Sequence, residues 1–309
     1  MLNVSYLARL LSPLLILAAL LLPTLSQAQE ITVQHAQGET VLNGVPKKVF
    51  TFDLAALDTL DALGVEVAGV PSALIPDYLE KYRGDAYAKI GSLFEPDFEA
   101  VNAAAPDLII VAGRSAPQYA ALSRIAPTID LTVAPDAFFA GAKKNTETLA
   151  RIFGKEDKAA ELIAQLDSSV AELRAHADSA GKALIILTNG GKISAYGTGS
   201  RFGWVHQDLG IQPAVDDVEA ATHGEAVSFE FILKTNPDWL IVVDRDSAVG
   251  NSGQTARQTL DNELIAATEA AKNDRIFYAD TVRWYLVGGG ISSLQTVVDN
   301  LAKALGGQG

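Results

Sequence analysis

Apolar residues in this chain come in short blocks separated by polar turns, and the blocks alternate between two spacings. Short, mainly apolar runs at 49–52, 67–70, 108–111, 129–131, 183–187, 239–242 and 276–278 read as strands. Between them lie segments with helical spacing: 53–63, 97–104, 117–125, 263–272 and 292–305. Asp53 is placed to cap the first of these, because an aspartate there accepts backbone N–H bonds, and Gly64 is placed to end it. Alternating residues at 31–35 and 40–42 around Gly38-Glu39 predict an amino-terminal hairpin. The stretch 74–93 predicts a short helix and a loop. Strand–helix alternation of this kind implies mainly parallel sheets covered on both faces.

One unit occurs twice. Phe98-Glu99 is followed by Pro106-Asp107, the apolar run 108–111 and then Arg114. Phe229-Glu230, 131 residues on, is followed by Pro237-Asp238, the run 239–242 and then Arg245. This predicts an αβ unit in each of two lobes. Ligands collect beyond the carboxyl ends of parallel strands, so two such ends facing each other set Arg114 and Arg245 on opposite walls of one cleft.

Between the lobes the pattern changes. From 146 to about 177 there is no strand signal and one break, Gly154, while apolar residues at 162, 163, 166, 170 and 173 keep a helical period. From 156 to 177 a helix would be roughly 33 Å long at 1.5 Å per residue, a stiff connector that permits tilting and opposes wide closure. The expected fold is therefore α/β. Two Rossmann-like lobes, 29–145 and 181–309, are joined by a single long α-helix over 146–180.

Residues 1–28 carry Arg9, a Leu- and Ala-rich run and Ser26-Gln27-Ala28, the layout of a cleaved secretory signal peptide with Gln29 as the mature start. The apolar run falls short of the roughly 20 residues a membrane span needs. The sequence has no cysteine, which excludes disulfides and thiolate metal sites, so the expected form is exported, cleaved and not lipid-anchored. The formal net charge of −13 becomes −14 without Arg9, which argues against a nucleic-acid partner.

Against that acidic background, Arg114, Arg201 and Arg245 occupy three separate predicted strand-end loops. Arg201 sits in the turn-rich stretch Tyr196-Gly197-Thr198-Gly199-Ser200-Arg201-Phe202-Gly203, which lacks the Gly-Lys-Ser/Thr ending of a nucleotide loop and the dinucleotide fingerprint. Arginine suits a delocalised anion because its planar fork stays charged and offers several directed donors. Of the four histidines, His223 lies in a loop just before the second repeat, and Tyr285 lies in another loop, ahead of three glycines. Taken singly, a loop histidine reads first as a surface residue and a lone tyrosine as packing. Gly-x-Ser-x-Gly and His-Glu-x-x-His are missing, and no serine has a recognisable base partner, so catalysis is not expected.

As a set, the opening Ile31-Thr32-Val33-x-His35-Ala36-x-Gly38-Glu39-Thr40, then Phe52-Asp53-Leu54-Ala55-Ala56-Leu57-Asp58, the Pro-Asp strand units, the 196–203 loop and Trp284-Tyr285 resemble periplasmic ferric-siderophore-binding proteins of ABC importers. The likeness is to the helical-backbone class and most of all to binders of catecholate, enterobactin-type complexes. The resemblance implies that Arg114, Arg201 and Arg245 face an anionic complex and that His223 and Tyr285 bind Fe(III) directly. A linear bis-catecholate supplies four oxygens, and one imidazole nitrogen and one phenolate oxygen would complete six. Trp204 and Trp284 are candidates for stacking on catechol rings or, equally, for core packing. It also implies an inner-membrane ABC permease as partner, met by a carboxylate on each lobe. The repeat offers Glu99 and Glu230 as that pair, with Glu95 and Glu225 as alternatives; the competing reading is that Glu99 and Glu230 simply serve their helix dipoles. The expectation is thus a monomeric periplasmic carrier with no intrinsic cofactor, whose iron arrives within the siderophore. Haem, a hydroxamate complex or cobalamin are the other cargoes in view.

Overall fold

The computed structural model describes residues 30–218, 223–251 and 253–306. The segment read as a signal peptide lies outside the described residues. Among the described residues no helix is long and apolar enough to cross a membrane.

The hairpin forms from β1 (Glu30–His35) and β2 (Gly38–Asn43), paired antiparallel. The amino-terminal lobe is a five-stranded parallel sheet of β3 (Val49–Thr51), β4 (Gly69–Val70), β5 (Ala88–Lys89), β6 (Leu108–Val111) and β7 (Thr128–Asp130), ordered β5-β4-β3-β6-β7. The carboxyl-terminal lobe contains β8 (Lys182–Asn189), β9 (Lys192–Tyr196), β10 (Gln212–Pro213), β11 (Glu225–Val227), β12 (Trp239–Asp244) and β13 (Ile276–Tyr278). Their order is β11-β9-β8-β12-β13, with β10 beside β8; β9 runs antiparallel to β8 and β11. In both lobes the central strands are buried on both faces. Leu108 and Ile110 enter one apolar cluster and Ile109 and Val111 another, and Ile241 and Val243 part from Leu240 and Val242 in the same way. That two-sided burial is why these runs are apolar without alternation.

The repeat holds at the level of individual bonds. Asp97 and Ser228 cap helices Phe98–Ala104 and Phe229–Thr235, accepting from Ala100 and Phe231. Both helices end on a left-handed residue, Ala105 (φ 47°) and Asn236 (φ 46°). The Pro-Asp aspartates pin the start of a neighbouring strand. Asp107 accepts the Lys47 and Lys48 amides at 2.9 and 2.8 Å, and Asp238 accepts the Lys182 amide at 2.8 Å. The copies part at the strand ends, because β12 runs on to Asp244 and Arg245 opens a short helix.

The connector departs from the expected single helix over 146–180. Helix Phe138–Phe153 ends at Gly154 (φ 63°), and a second helix, Glu156–Ala180, carries the chain across. Its 25 residues span about 38 Å. It buries Ala159, Leu166, Leu173 and Ala177 and lies along the carboxyl-terminal helix Ile291–Gly306. Residues 146–153 thus belong to the preceding helix, which puts Leu149, Ala150 and Ile152 into the amino-terminal core and Phe139 and Ala142 into the other. Leu286 and Val287, from the second half of the chain, pack into the amino-terminal core.

Candidate functional site

Each lobe has one point where strand order reverses, and these points position the site. In the amino-terminal sheet it lies between β3 and β6, flanked by Asp53 and Arg114. In the other sheet it lies between β8 and β12, flanked by Asn189 and Arg245. Asp53 caps helix Leu54–Ala62 by accepting from Ala56 at 2.8 Å, and it faces the Arg114 charge. Asn189 accepts from Arg245 Nη1 at 3.1 Å. Arg201 is delivered by the 197–203 loop, where Gly203 permits a close approach: a Cβ there would sit 2.6 Å from the Gly199 nitrogen.

The three arginines converge on Tyr285. Arg114 Nη2 donates to the Tyr285 carbonyl at 2.6 Å and Nη1 to the Leu286 carbonyl at 3.3 Å. Arg201 Nη2 donates to the same Tyr285 carbonyl. Arg245 Nε donates to the Tyr285 hydroxyl at 3.2 Å. The Arg201 and Arg114 guanidinium carbons lie 4.2 and 5.4 Å from the centre of the Tyr285 ring. Tyr285 was expected in a loop; it lies in a π-helical turn, Val282–Val287. Its main-chain carbonyl lies in the last turn, where no later amide of the helix serves as donor, and it is taken by the two arginines.

This setting changes the phenol. Burial, the largest influence, raises its pKa, but the Arg245 hydrogen bond and the charges of Arg201, Arg245 and Arg114 together outweigh it, so the hydroxyl sits below the ordinary tyrosine range. Arg114 is held below the usual arginine range, first by burial and then by Arg201 beside it. Among the described residues neither Arg114 nor Arg201 has a carboxylate within ion-pair distance, whereas Arg245 has Asp246 at 3.8 Å.

His223 is exposed and makes no contact with Tyr285 among the described residues. Its neighbour Gly224 lies on the Tyr196 ring: a Cβ there would come within 2.8 Å of Tyr196 Cε2. Tyr196 in turn feels the charges of Arg201 and Tyr285. Trp204 and Trp284 are 3% and 4% exposed, with ring centres 4.8 Å apart, and Phe138 stacks on Trp204 at 5.7 Å. Of the two roles considered for these indoles, core packing is the one their placement shows. Glu99 and Glu230 are exposed in the first turns of the two repeated helices, and a hydrogen bond from Ser228 holds the Glu230 carboxyl below its ordinary range.

The family model for periplasmic binding proteins matches residues 49–282. The chain belongs to that family. Within it, the petrobactin-binding protein YclQ of Bacillus subtilis is 41% identical over 285 residues, covering 91% of this chain and 90% of its own. The crystal structure of YclQ superposes with a TM-score of 0.87 over 90% of this chain and 99% of that one. The ferric-anguibactin-binding protein FatB of Vibrio anguillarum is 33% identical over 88% of this chain and 87% of its own. The periplasmic catecholate-siderophore binding protein VctP of Vibrio cholerae superposes with a TM-score of 0.84 at 35% identity, over 88% and 99% of the two chains. Like other members of this family, the chain is built as a two-lobed solute-binding component of a transport system, and the likeness extends across nearly all of its described length.

Two residues of the site escaped the sequence reading. Asn189, which orients Arg245, had a usable signal in its position at a strand end before Gly190-Gly191. Asp53 was read as a cap alone, and its facing of Arg114 depends on the sheet order.

Proposed function

We propose that this protein captures an anionic ferric catecholate siderophore in the cleft between its lobes and delivers it to an inner-membrane ABC permease, with no chemistry performed on the cargo. The carrying observation is Tyr285, half-buried with a depressed phenol and ringed by three arginines. Fe(III) is a hard cation that favours oxygen donors, and a phenol already biased toward phenolate costs less to deprotonate on binding. The arginines keep donors free for catecholate oxygens, since each fork has five N–H groups. The names of YclQ, FatB and VctP support iron-siderophore cargo, and that of VctP supports the catecholate class.

In this reading a tetradentate bis-catecholate takes its fifth and sixth ligands from Tyr285 and from His223, whose neighbour Gly224 lies on Tyr196. Glu99 and Glu230 meet basic residues of the permease, one from each lobe. The chain works as a monomer in the periplasm after removal of residues 1–28. Tryptophan-fluorescence titration with ferric bis- and tris-catecholates tests the assignment. His223→Ala and Tyr285→Phe weaken the tetradentate complex by at least about tenfold more than the hexadentate one, a difference of about 1.4 kcal/mol. Equal losses for both ligands would remove direct ligation from the proposal.

A further inference from the structure

The turn that presents Arg114 is held from outside by a short relay of hydrogen bonds. Residues 112–115 follow β6 and close on themselves: the Ser115 amide donates to the Ala112 carbonyl at 2.9 Å, and the Ala112 amide donates to Ser115 Oγ at 3.1 Å. The Gly113 amide, next to Arg114, instead crosses to the loop after β7 and donates to Thr132 Oγ1 at 2.8 Å. Thr132 is itself fixed. Its amide and its hydroxyl both donate to Asp130 Oδ1, at 2.9 and 2.5 Å. A hydroxyl has one proton, and Asp130 takes it, so a lone pair is left to face Gly113. Asp130 is 1% exposed, and its Oδ2 accepts Gln37 Nε2 at 3.0 Å from the turn of the amino-terminal hairpin. A carboxylate acceptor makes the stronger kind of hydrogen bond, and a relay of this kind polarises each member. Arg114 has use for such a brace. Among the described residues no carboxylate lies within ion-pair distance of it, and its guanidinium reaches carbonyls of Tyr285 and Leu286, in the second half of the chain. A small rotation of the 112–115 turn is therefore magnified along the arginine side chain.

We infer that Thr132, held by Asp130, is a positioning residue for Arg114: it fixes the Gly113 amide and so aims the guanidinium into the cleft. Thr132 is exposed, so water can replace it as the acceptor. Water satisfies the amide without fixing where it points, and loss of the hydroxyl therefore disturbs aim more than stability. Thr132 also borders the cleft, so direct contact with the cargo is the alternative the test has to separate. The inference rests on the proposed function for its ferric readout and not for its readout in the ligand-free protein, so the two can fail separately.

The test uses the full mature chain. Thr132→Val keeps the side-chain shape and removes the acceptor, and Thr132→Ser keeps the hydroxyl. In the ligand-free protein Arg114 is one of the charges that hold the Tyr285 phenol down. Ultraviolet pH titration should show that phenol moving upward in Thr132→Val, in the same direction as in Arg114→Met, and returning in Thr132→Ser. Fluorescence titration with a ferric bis-catecholate should show Thr132→Val about tenfold weaker than wild type and Thr132→Ser within about twofold of it. The Tm of Thr132→Val should stay within about 2 °C of wild type. In an Arg114→Met background Thr132→Val should change ferric affinity by less than about twofold, because a residue that acts through Arg114 has nothing left to position. The inference is overturned if folded Thr132→Val leaves either the phenol or the ferric affinity at the wild-type value. It is equally overturned if the losses from Thr132→Val and Arg114→Met add in full, the mark of a residue that touches the cargo itself. Should Thr132→Val not fold, Asp130→Asn, which keeps an acceptor oxygen and loses the charge, is put through the same cycle with the same criteria. A wild type that binds no ferric catecholate removes the proposed function and leaves the phenol titration to decide this inference.

Discussion

Asp58 tests how the two lobes are held to each other. It is fully buried on helix Leu54–Ala62 and accepts four hydrogen bonds: from Tyr78 Oη at 2.9 Å, Ser292 Oγ at 2.6 Å, and the Ser292 and Ser293 amides at 2.9 and 3.2 Å. The last two are first-turn N–H groups of helix Ile291–Gly306, so a carboxylate from one lobe caps a helix 234 residues away. Gly290 belongs to the same fit, since a Cβ there would lie 2.5 Å from Asp58 Oδ2. Asp58→Ala leaves two capping amides without an acceptor at about 1–3 kcal/mol each, for a cost of about 4 kcal/mol. At roughly 2–4 °C per kcal/mol for a chain of this size, Tm falls by about 10 °C. Asp58→Asn keeps one acceptor for the amides, and the Tyr78 and Ser292 hydroxyls can turn to accept from its NH₂; it costs about 1 kcal/mol. Burial, the dominant influence, holds the Asp58 carboxyl above the usual carboxylate range. A raised folded pKa means the contribution is full below the unfolded value of about 3.9 and declines as pH rises through the folded value. The gap between wild type and Asp58→Asn therefore narrows with rising pH. Urea unfolding and thermal melts at several pH values measure all three proteins. The reasoning fails if Asp58→Ala melts with the wild type, or if Asn costs as much as Ala.

Three further outcomes follow from the same structure. The depressed Tyr285 phenol should be the first tyrosine to show phenolate ultraviolet absorbance on raising pH, and Arg245→Met should move it upward. A depressed folded pKa gives stability present above the unfolded value of about 10 and lost as pH falls through the folded one; affinity for a tetradentate ferric complex should likewise rise with pH, by about tenfold per unit while the phenol is neutral. Ala105→Gly should stabilise by about 1 kcal/mol, because alanine is forced to φ 47°, whereas Asn236→Gly at the matching position should gain nothing, because Asn236 Oδ1 accepts the Glu269 amide at 2.8 Å; urea unfolding separates them. Gly224→Ala should destabilise by about 1–3 kcal/mol and weaken ferric binding in fluorescence titration, since its Cβ would lie 2.7 Å from the Ala195 carbonyl at φ +70°.

What could be read in advance was whatever a local pattern records. The 131-residue repeat and its strands were legible because apolar runs and Pro-Asp turns are local patterns, whereas the capping by Asp97 and Ser228 and the grip of Asp107 and Asp238 on a neighbouring strand came from the structure. Arg114, Arg201 and Arg245 were legible as strand-end charges, and the structure brings all three to one tyrosine. The rest depends on contacts across the two lobes. Nothing near Asp58 in the chain announces Ser292, and nothing near Trp204 announces that Trp284 and Phe138 will enclose it. The antiparallel strand β9 was hidden by its polar edge, where Lys192 and Ser194 interrupt the apolar run that marks the other strands. The π-helical turn is the most consequential of these. A six-residue stretch with three glycines behind it reads as a loop, yet it forms a helical turn whose Tyr285 carbonyl meets Arg114 and Arg201 while the hydroxyl meets Arg245. One residue thereby ties a guanidinium from the first lobe to two from the second.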